Sequence, residues 1–99
     1  ISSVQTLDVA DTTAKVLWLT DEWADSTVEY STGVDLDTNT LIAPTTVNLP
    51  AGAQEENDIV HEVPLSGLSK YTIYFFKVHS TDYWGNTSDS AIQIFRTKR

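Results

Sequence analysis

Two histidines and fourteen acidic residues are the groups of this 99-residue chain that could carry out acid–base chemistry or hold a metal ion. Histidine is the usual general base near neutral pH, and carboxylates are the ligands that calcium prefers. The chain has no cysteine, which excludes a disulfide, a thiolate metal site and a cysteine nucleophile. It also lacks a catalytic-triad spacing, a zinc motif and a phosphate-binding loop. The histidines and the acids are therefore the residues to consider for an active site.

The carboxylates are placed where water solvates them. Glu55 and Glu56, like Asp35 and Asp37, lie in polar segments, where burial cannot raise the pKa of a carboxyl group. A wider set of loop acids offers oxygen ligands for calcium, but without the ligand spacing of an EF-hand. The set consists of Asp21, Glu22, Asp25 and Asp82, to which Glu55, Glu56 and Asp58 could be added. We therefore expect no catalytic residue, no metal and no cofactor, and calcium at the acidic loops is kept only as an alternative.

Length, composition and charge narrow the class of protein. Ninety-nine residues with 40% hydrophobic content fit a single globular domain that covers residues 1–99. A net charge of −8 argues against a nucleic-acid ligand. No apolar run reaches the ~18 residues of a span that inserts in a membrane. The chain has no methionine, so Ile1 is not a translation start, and we expect a domain excised from a longer chain.

Seven segments alternate in character with a period of two residues, and they are rich in β-branched and aromatic residues. Turn-forming residues separate these segments, and no window keeps the period of a helix. The pattern predicts an all-β fold, a seven-stranded antiparallel sandwich. The predicted strands cover residues 4–9, 15–20, 27–30, 41–49 (broken at Pro44), 59–65, 72–80 and 91–97.

Residues 65–74 carry a more specific signal. Their sequence, Leu-Ser-Gly-Leu-Ser-Lys-Tyr-Thr-Ile-Tyr, resembles the tyrosine corner of fibronectin type III domains, whose pattern is Gly-Leu-x-Pro-x-Thr-x-Tyr. Leu68, Thr72 and Tyr74 match this pattern, and Lys70 stands where the family usually has proline. In such a corner the tyrosine ring fills the core while its hydroxyl bonds a backbone group across the loop.

The resemblance extends over nearly the whole chain. Trp18 resembles the core tryptophan of the family's second strand, and residues 28–30 resemble its third strand. Residues 80–88 resemble a loop of bacterial and archaeal members, while residues 61–68 are similar to the sandwich domain that precedes purple acid phosphatase catalytic domains. The resemblance implies an immunoglobulin-like sandwich of the fibronectin type III kind, in which Trp18, Leu68 and Tyr74 are structural.

The resemblance also separates the two histidines. Counting back from Leu68 places His61 on the inward side of its strand, and counting on from Tyr74 places His79 on the outward side. In a fibronectin-type sandwich these two strands belong to different sheets, so the imidazoles should not converge on one site. We expect His61 to be a hydrogen-bonded histidine at the edge of the core.

Loop aromatics form the first candidate binding surface. In this fold the loop of Trp23 and the loop of Tyr83 and Trp84 emerge at the same end of the sandwich, ringed by acids. Exposed aromatic rings stack on sugars or anchor contacts with proteins. The alternative is that Trp23 folds over the open end of the core and shields it from water.

An apolar stripe on the outer face of one sheet is the second candidate surface. With Tyr74 and Phe95 pointing inward, strict alternation turns four large apolar residues outward, where a half-exposed strand should be polar. Such a stripe fits an interface with an adjacent domain or subunit. The alternative is a bulge before Phe95 that turns the last two of these residues inward. The stripe consists of Ile73, Phe75, Ile92 and Ile94.

The sequence therefore predicts a non-catalytic spacer or interaction module of a larger extracellular or cell-surface protein, for example a polysaccharide-acting enzyme. We expect neighbouring domains of the same chain as partners, with a polysaccharide or another protein as further candidates, and a monomer when the module is isolated. Two alternatives remain open. One is a carbohydrate-binding module that uses the loop aromatics, and the other is the accessory domain of a metallophosphoesterase.

Overall fold

A computed structural model describes residues 1–21, 24–49, 60–82 and 84–99. Within these ranges the chain forms ten β-strands and no helix, so it contains no helix that could cross a membrane. The strands are β1 (Ser2–Leu7), β2 (Ala14–Leu19), β3 (Ser26–Ser31), β4 (Val34–Asp35), β5 (Thr40–Leu41), β6 (Thr45–Leu49), β7 (Val60–Leu65), β8 (Ile73–Thr81), β9 (Thr87–Asp89) and β10 (Gln93–Arg96).

The strands form two antiparallel sheets that enclose the core. The smaller sheet has the order β1-β2-β7, and the larger sheet has the order β10-β8-β3-β6 with β9 also paired to β8. β4 and β5 form a separate two-stranded hairpin. The predicted all-β antiparallel sandwich is confirmed, and the seven strands of four or more described residues each overlap one of the seven predicted segments.

The structure adds detail where the sequence pattern is weak. The segment predicted at 41–49 is divided into the end of β5 and all of β6, because Pro44 cannot donate a ladder hydrogen bond. β4 and β9 were not predicted, since two or three residues are too few to show an alternation and β9 is polar throughout. β9 forms because the longer strand β8 offers it backbone partners, and β4 forms because a hairpin turn brings it beside β5.

The core is built by strict alternation along β2 and β8. Each of these strands buries every second side chain, which turns one face of its sheet toward the other sheet. Burial of aromatic and branched side chains at roughly 25 cal/mol per Å² of apolar surface is the main force that holds the two sheets together. The buried cluster consists of Ala14, Val16, Trp18, Val28, Val63, Leu65, Leu68, Tyr74, Phe76, Val78 and Phe95.

The tyrosine corner forms between β7 and β8. The Tyr74 hydroxyl accepts a hydrogen bond from the Ser69 backbone N–H at 2.8 Å, and the Tyr74 ring stacks on Phe95 at a centroid distance of 5.6 Å. Leu68 is buried, and its N–H donates to the Thr12 carbonyl at 3.0 Å, which ties the corner to the loop between β1 and β2. The corner therefore fixes the connection between the sheets even with Lys70 in the proline position.

The two ends of the chain lie at opposite ends of the sandwich. Ile1 lies beside Thr20 and Asp82, at the end where β2 and β8 finish. At the other end the Lys98 N–H donates to the Ala10 carbonyl at 2.9 Å, beside the start of β8. The nine residues of β8 connect these two ends, and at ~3.3 Å per residue that strand is about 27 Å long.

Candidate interaction surfaces

The buried histidine belongs to a network that joins the two sheets. The His61 ring stacks on Trp18 with centroids 5.2 Å apart and planes 12° apart, and its Nδ1 and Nε2 lie 2.6 Å and 2.8 Å from the hydroxyls of Ser26 and Thr20. Trp18 Nε1 donates to the Ser80 hydroxyl at 2.8 Å. His61 and Trp18 are both 0% exposed. The inward, hydrogen-bonded position expected for His61 is confirmed, and no substrate can reach its ring nitrogens.

The second histidine lies on the outer face of the larger sheet. The two ring nitrogens of His79 lie within hydrogen-bond distance of Glu29 on β3 and Asp89 on β9. The expectation that His61 and His79 do not converge is confirmed, because one faces the core from the smaller sheet and the other faces outward from the larger.

The loop between β2 and β3 and the loop between β8 and β9 meet at one end of the sandwich. Ala24 forms a β-bridge with Asp82, and the Asp25 N–H donates to the Thr81 carbonyl at 3.0 Å. In return, Asp25 Oδ1 accepts the Thr81 N–H at 2.8 Å. These bonds place the described parts of the two loops side by side, as the sequence predicts.

Asp82 closes the turn between β8 and β9. Asp82 Oδ1 accepts the backbone N–H groups of Trp84 and Asn86 at 2.9 Å and 2.8 Å, so its carboxylate shapes the turn. Among the described residues no group of three or more histidines and acids could hold a metal ion. The remaining acids of the calcium alternative, which are Glu22, Glu55, Glu56 and Asp58, lie outside the described residues.

Trp84 is the aromatic residue of this end whose position is described. Its side chain is 79% exposed on the turn that Asp82 closes. Trp23 and Tyr83, the other two predicted loop aromatics, lie outside the described residues, so the predicted aromatic cluster and the shielding role of Trp23 remain predictions.

Two residues of the predicted apolar stripe, Ile73 and Ile94, are exposed on the outer face of the larger sheet. Ile94 on β10 is directly opposite Phe75 on β8, Ile94 is 61% exposed and Ile73 is 36% exposed. The pairing of β10 with β8 is continuous over Gln93–Arg96, so the alternative bulge before Phe95 is not present in that strand. Phe75 is half-buried, and so is Ile92, in the connection between β9 and β10.

A basic and aromatic patch borders the stripe and was not predicted. The Cζ atoms of Arg96 and Arg99 lie 5.0 Å and 4.6 Å from the centre of the Tyr71 ring, within the range of cation–π contacts. Tyr71 is 51% exposed, and Arg96 is opposite Ile73 in the β10–β8 pairing. The sequence gives only a weak signal for this patch, because Tyr71 is separated from the two arginines by more than twenty residues.

An open groove with a volume of about 420 Å³ lies beside the tyrosine corner. It runs between Tyr30, Ile42 and Tyr74, and the described residues that line it include no histidine, acid or lysine. Its described lining therefore offers none of the side chains most often used as a general base at neutral pH.

Comparison with known proteins identifies the fold of this chain. No protein-family model matches the sequence, and no curated protein matches it either. By contrast, 35 solved chains match the structure. One is a myokine structure, with 17% identity and a TM-score of 0.72 over 97% of this chain and 93% of that one. Another is the FN5 domain of Drosophila Lar, with 18% identity and a TM-score of 0.65 over 98% of this chain and 92% of that one.

A third similar structure holds several such domains. It is the FN1–FN3 segment of chicken CNTN1, with 18% identity and a TM-score of 0.70, and the match covers 99% of this chain but 31% of that one. At these identities the likeness establishes the fold alone. The chain is an all-β sandwich with the fold of a fibronectin type III domain.

Proposed function

We propose that this chain is a non-catalytic spacer and interaction module of a larger extracellular or cell-surface protein. The observation that carries the proposal is the position of the two chain ends, Ile1 and Arg99, at opposite ends of a sandwich closed by a buried side-chain network. In a protein of several domains this geometry would hold the flanking domains a fixed distance apart. The chicken structure, of which this chain matches the length of about one domain in three, supports a modular role.

The buried chemistry supports the same proposal. His61 is enclosed by Trp18, Ser26 and Thr20, and His79 is bonded to two carboxylates. The side chains best suited to acid–base catalysis thus form contacts within the fold, and neither histidine lines either of the two cavities described for these residues. We infer that the function depends on surface contacts and on the distance between neighbours.

A tandem protein tests the spacer role. Two copies joined directly from Arg99 to Ile1 would carry one spin label each, at Ser66→Cys of both copies, and the absence of native cysteine makes the labelling specific. We expect one narrow distance distribution by pulsed electron paramagnetic resonance. The matched control inserts a flexible Gly/Ser linker of about ten residues, which should broaden the distribution. Equally broad distributions in both proteins would contradict a fixed spacing.

Carbohydrate binding is the second candidate, and the exposure of Trp84 favours it. An aromatic ring that is 79% exposed on a turn fixed by Asp82 could stack on a sugar ring. Electrophoresis through gels that contain soluble polysaccharides tests this role. Retardation that is lost in Trp84→Ala but kept in Leu36→Ala, a control at a residue that is 85% exposed, would support sugar binding. Equal mobility with and without every polysaccharide would remove this candidate.

A further inference from the structure

We propose that the outer face of the larger sheet docks a second copy of this chain, with the strands of the two faces antiparallel. The inference rests on the proposed interaction role of the module and names the partner of the apolar stripe. It is carried by the order of charged and apolar residues on the face, by their symmetry and by the area of the face.

The face has a fixed order of side chains along its outer edge. Arg96 and Ile94 lie on β10, and Asp89 lies on β9, which pairs with the same side of β8 further along that strand. From one end of the sandwich to the other, this edge therefore runs from a cation through an apolar segment to an anion. Ile92 lies in the connection between Ile94 and Asp89.

The neighbouring column on β8 has a matching order. Ile73 is opposite Arg96, Phe75 is opposite Ile94, and His79 is opposite Asp89. Lys77 lies between Phe75 and His79 on the same outward side of β8. The centre of the face is thus between the levels of Phe75 and Lys77, with the basic end and the acidic end at similar distances from it.

This order is self-complementary under one symmetry. Consider a two-fold axis that lies between the two faces and is perpendicular to the strands. When this axis passes between the levels of Phe75 and Lys77, Arg96 of each copy faces Asp89 of the other. Phe75 then covers the aliphatic stem of Lys77, and Ile94 faces the level of Ile92. An axis parallel to the strands along this edge would place Arg96 on Arg96 and Asp89 on Asp89, which disfavours that arrangement. The order of charges along the edge therefore favours the antiparallel arrangement.

The area of the face sets the strength of the contact. The 27 residues of β3, β6, β8, β9 and β10, each covering ~4.8 Å across and ~3.3 Å along its strand, give about 430 Å² per copy, or about 860 Å² in total. This total is near the lower limit, about 1,000 Å², for a specific protein interface. The net charge of −8 also opposes association until salt screens it. We therefore expect a weak dimer that is a monomer when dilute, in keeping with the expectation from the sequence.

Sedimentation velocity tests the association. In ~150 mM salt we expect the weight-average sedimentation coefficient to rise from the monomer value toward the dimer value between about 10 µM and about 1 mM. Ile94→Ser should abolish this rise. Leu36→Ser is the matched control, because Leu36 is 85% exposed on the β4–β5 hairpin and lies off the proposed face. A wild-type protein that stays monomeric up to the highest concentration would overturn the inference.

A charge exchange tests the symmetry. Arg96→Glu alone and Asp89→Lys alone each place like charges at both ends of a homodimer, so each should dissociate about tenfold more readily than the wild type. An equimolar mixture of the two variants restores both opposite-charge contacts, and it should associate within about threefold of the wild type. Asp89→Lys also removes the contact with His79, so thermal melts must first show that both variants fold. Folded variants whose mixture associates no better than either alone would overturn the arrangement.

These outcomes are separate from those of the spacer test. The tandem protein measures the distance between neighbours that are joined at the chain ends, and sedimentation measures contact between sheet faces of separate chains. A narrow distance distribution together with a strictly monomeric chain would retain the spacer role and remove the docking inference. A broad distribution together with a confirmed dimer would remove the spacer role and retain the docking inference.

Discussion

Replacing His61 by phenylalanine removes the centre of the polar network between the sheets and keeps an aromatic ring against Trp18. The wild-type ring places its Nδ1 2.6 Å from the Ser26 hydroxyl and its Nε2 2.8 Å from the Thr20 hydroxyl. Ser26 is 2% exposed, so water cannot replace its lost partner in the variant. Thr20 is half-buried and can turn toward solvent.

The cost of this substitution follows from the two hydroxyls. Leaving a buried polar group without a partner costs about 1–3 kcal/mol, and an ordinary hydrogen bond at a partly exposed site contributes about 0.5–1.5 kcal/mol. Part of this loss is offset because the phenyl ring is less costly to bury than an imidazole. We expect His61→Phe to lower the free energy of unfolding by about 2–3 kcal/mol.

A double-mutant cycle separates the network from simple packing. Ser26→Ala alone removes the hydroxyl that bonds His61 Nδ1 and should cost about 1–3 kcal/mol. In the double variant both polar partners are absent, so its cost should be smaller than the sum of the single costs by about 1–2 kcal/mol. Urea unfolding followed by tryptophan fluorescence measures all four proteins. If the two single costs add with no coupling, the hydrogen bond between Ser26 and His61 has no energetic role and the reasoning fails.

Three further predictions concern the core, the tyrosine corner and one surface ion pair. Trp18→Ala should lower the free energy of unfolding by about 3–5 kcal/mol because it leaves a large cavity, and an unchanged urea midpoint would contradict the core position of Trp18. Tyr74→Phe should cost about 1–2 kcal/mol through the lost bond from the Ser69 N–H, and a cost near zero would mean that solvent satisfies that group equally well. The carboxylate of Glu62, together with that of Asp8, raises the pKa of Lys15. The pair therefore stabilises the fold below the ordinary lysine pKa and loses that effect as the pH rises through the raised value; Glu62→Gln should lower the pKa of Lys15 in an NMR titration.

The parts of the fold that the sequence predicts are those in which local pattern and tertiary burial agree. β2 and β8 alternate without interruption over six and nine residues, so their buried faces could be assigned before the structure was known. The outward position of Ile94 follows from the same parity once Phe95 is placed inward. β9 could not be predicted, because its three residues are polar and exposed and its pairing depends on β8.

The side-chain networks could not be predicted, because their members are distant in sequence. Ser26 and His61 are separated by 35 positions, and Trp18 and Ser80 by 62. Serine and threonine are common in exposed loops and strands. Nothing in the local sequence therefore marks Ser26 or Ser80 as the hydrogen-bond partner of a buried ring. The patch of Tyr71 with two arginines has the same origin, since the chain end returns to the start of β8 only in the folded sandwich.

The division between inside and outside connects the fold to the proposed function. Among the described residues every buried side-chain nitrogen and oxygen has a hydrogen-bond partner, so the polar groups between the sheets are fully used to hold them in one arrangement. The outer face of the larger sheet differs from this satisfied interior. Ile73 and Ile94 expose apolar surface at positions where a solvated strand usually has polar side chains. Arg96 borders this apolar surface at one end of the face, and Asp89 borders it at the other end. A rigid interior and an incompletely solvated face together favour a molecule that acts by holding and contacting neighbours.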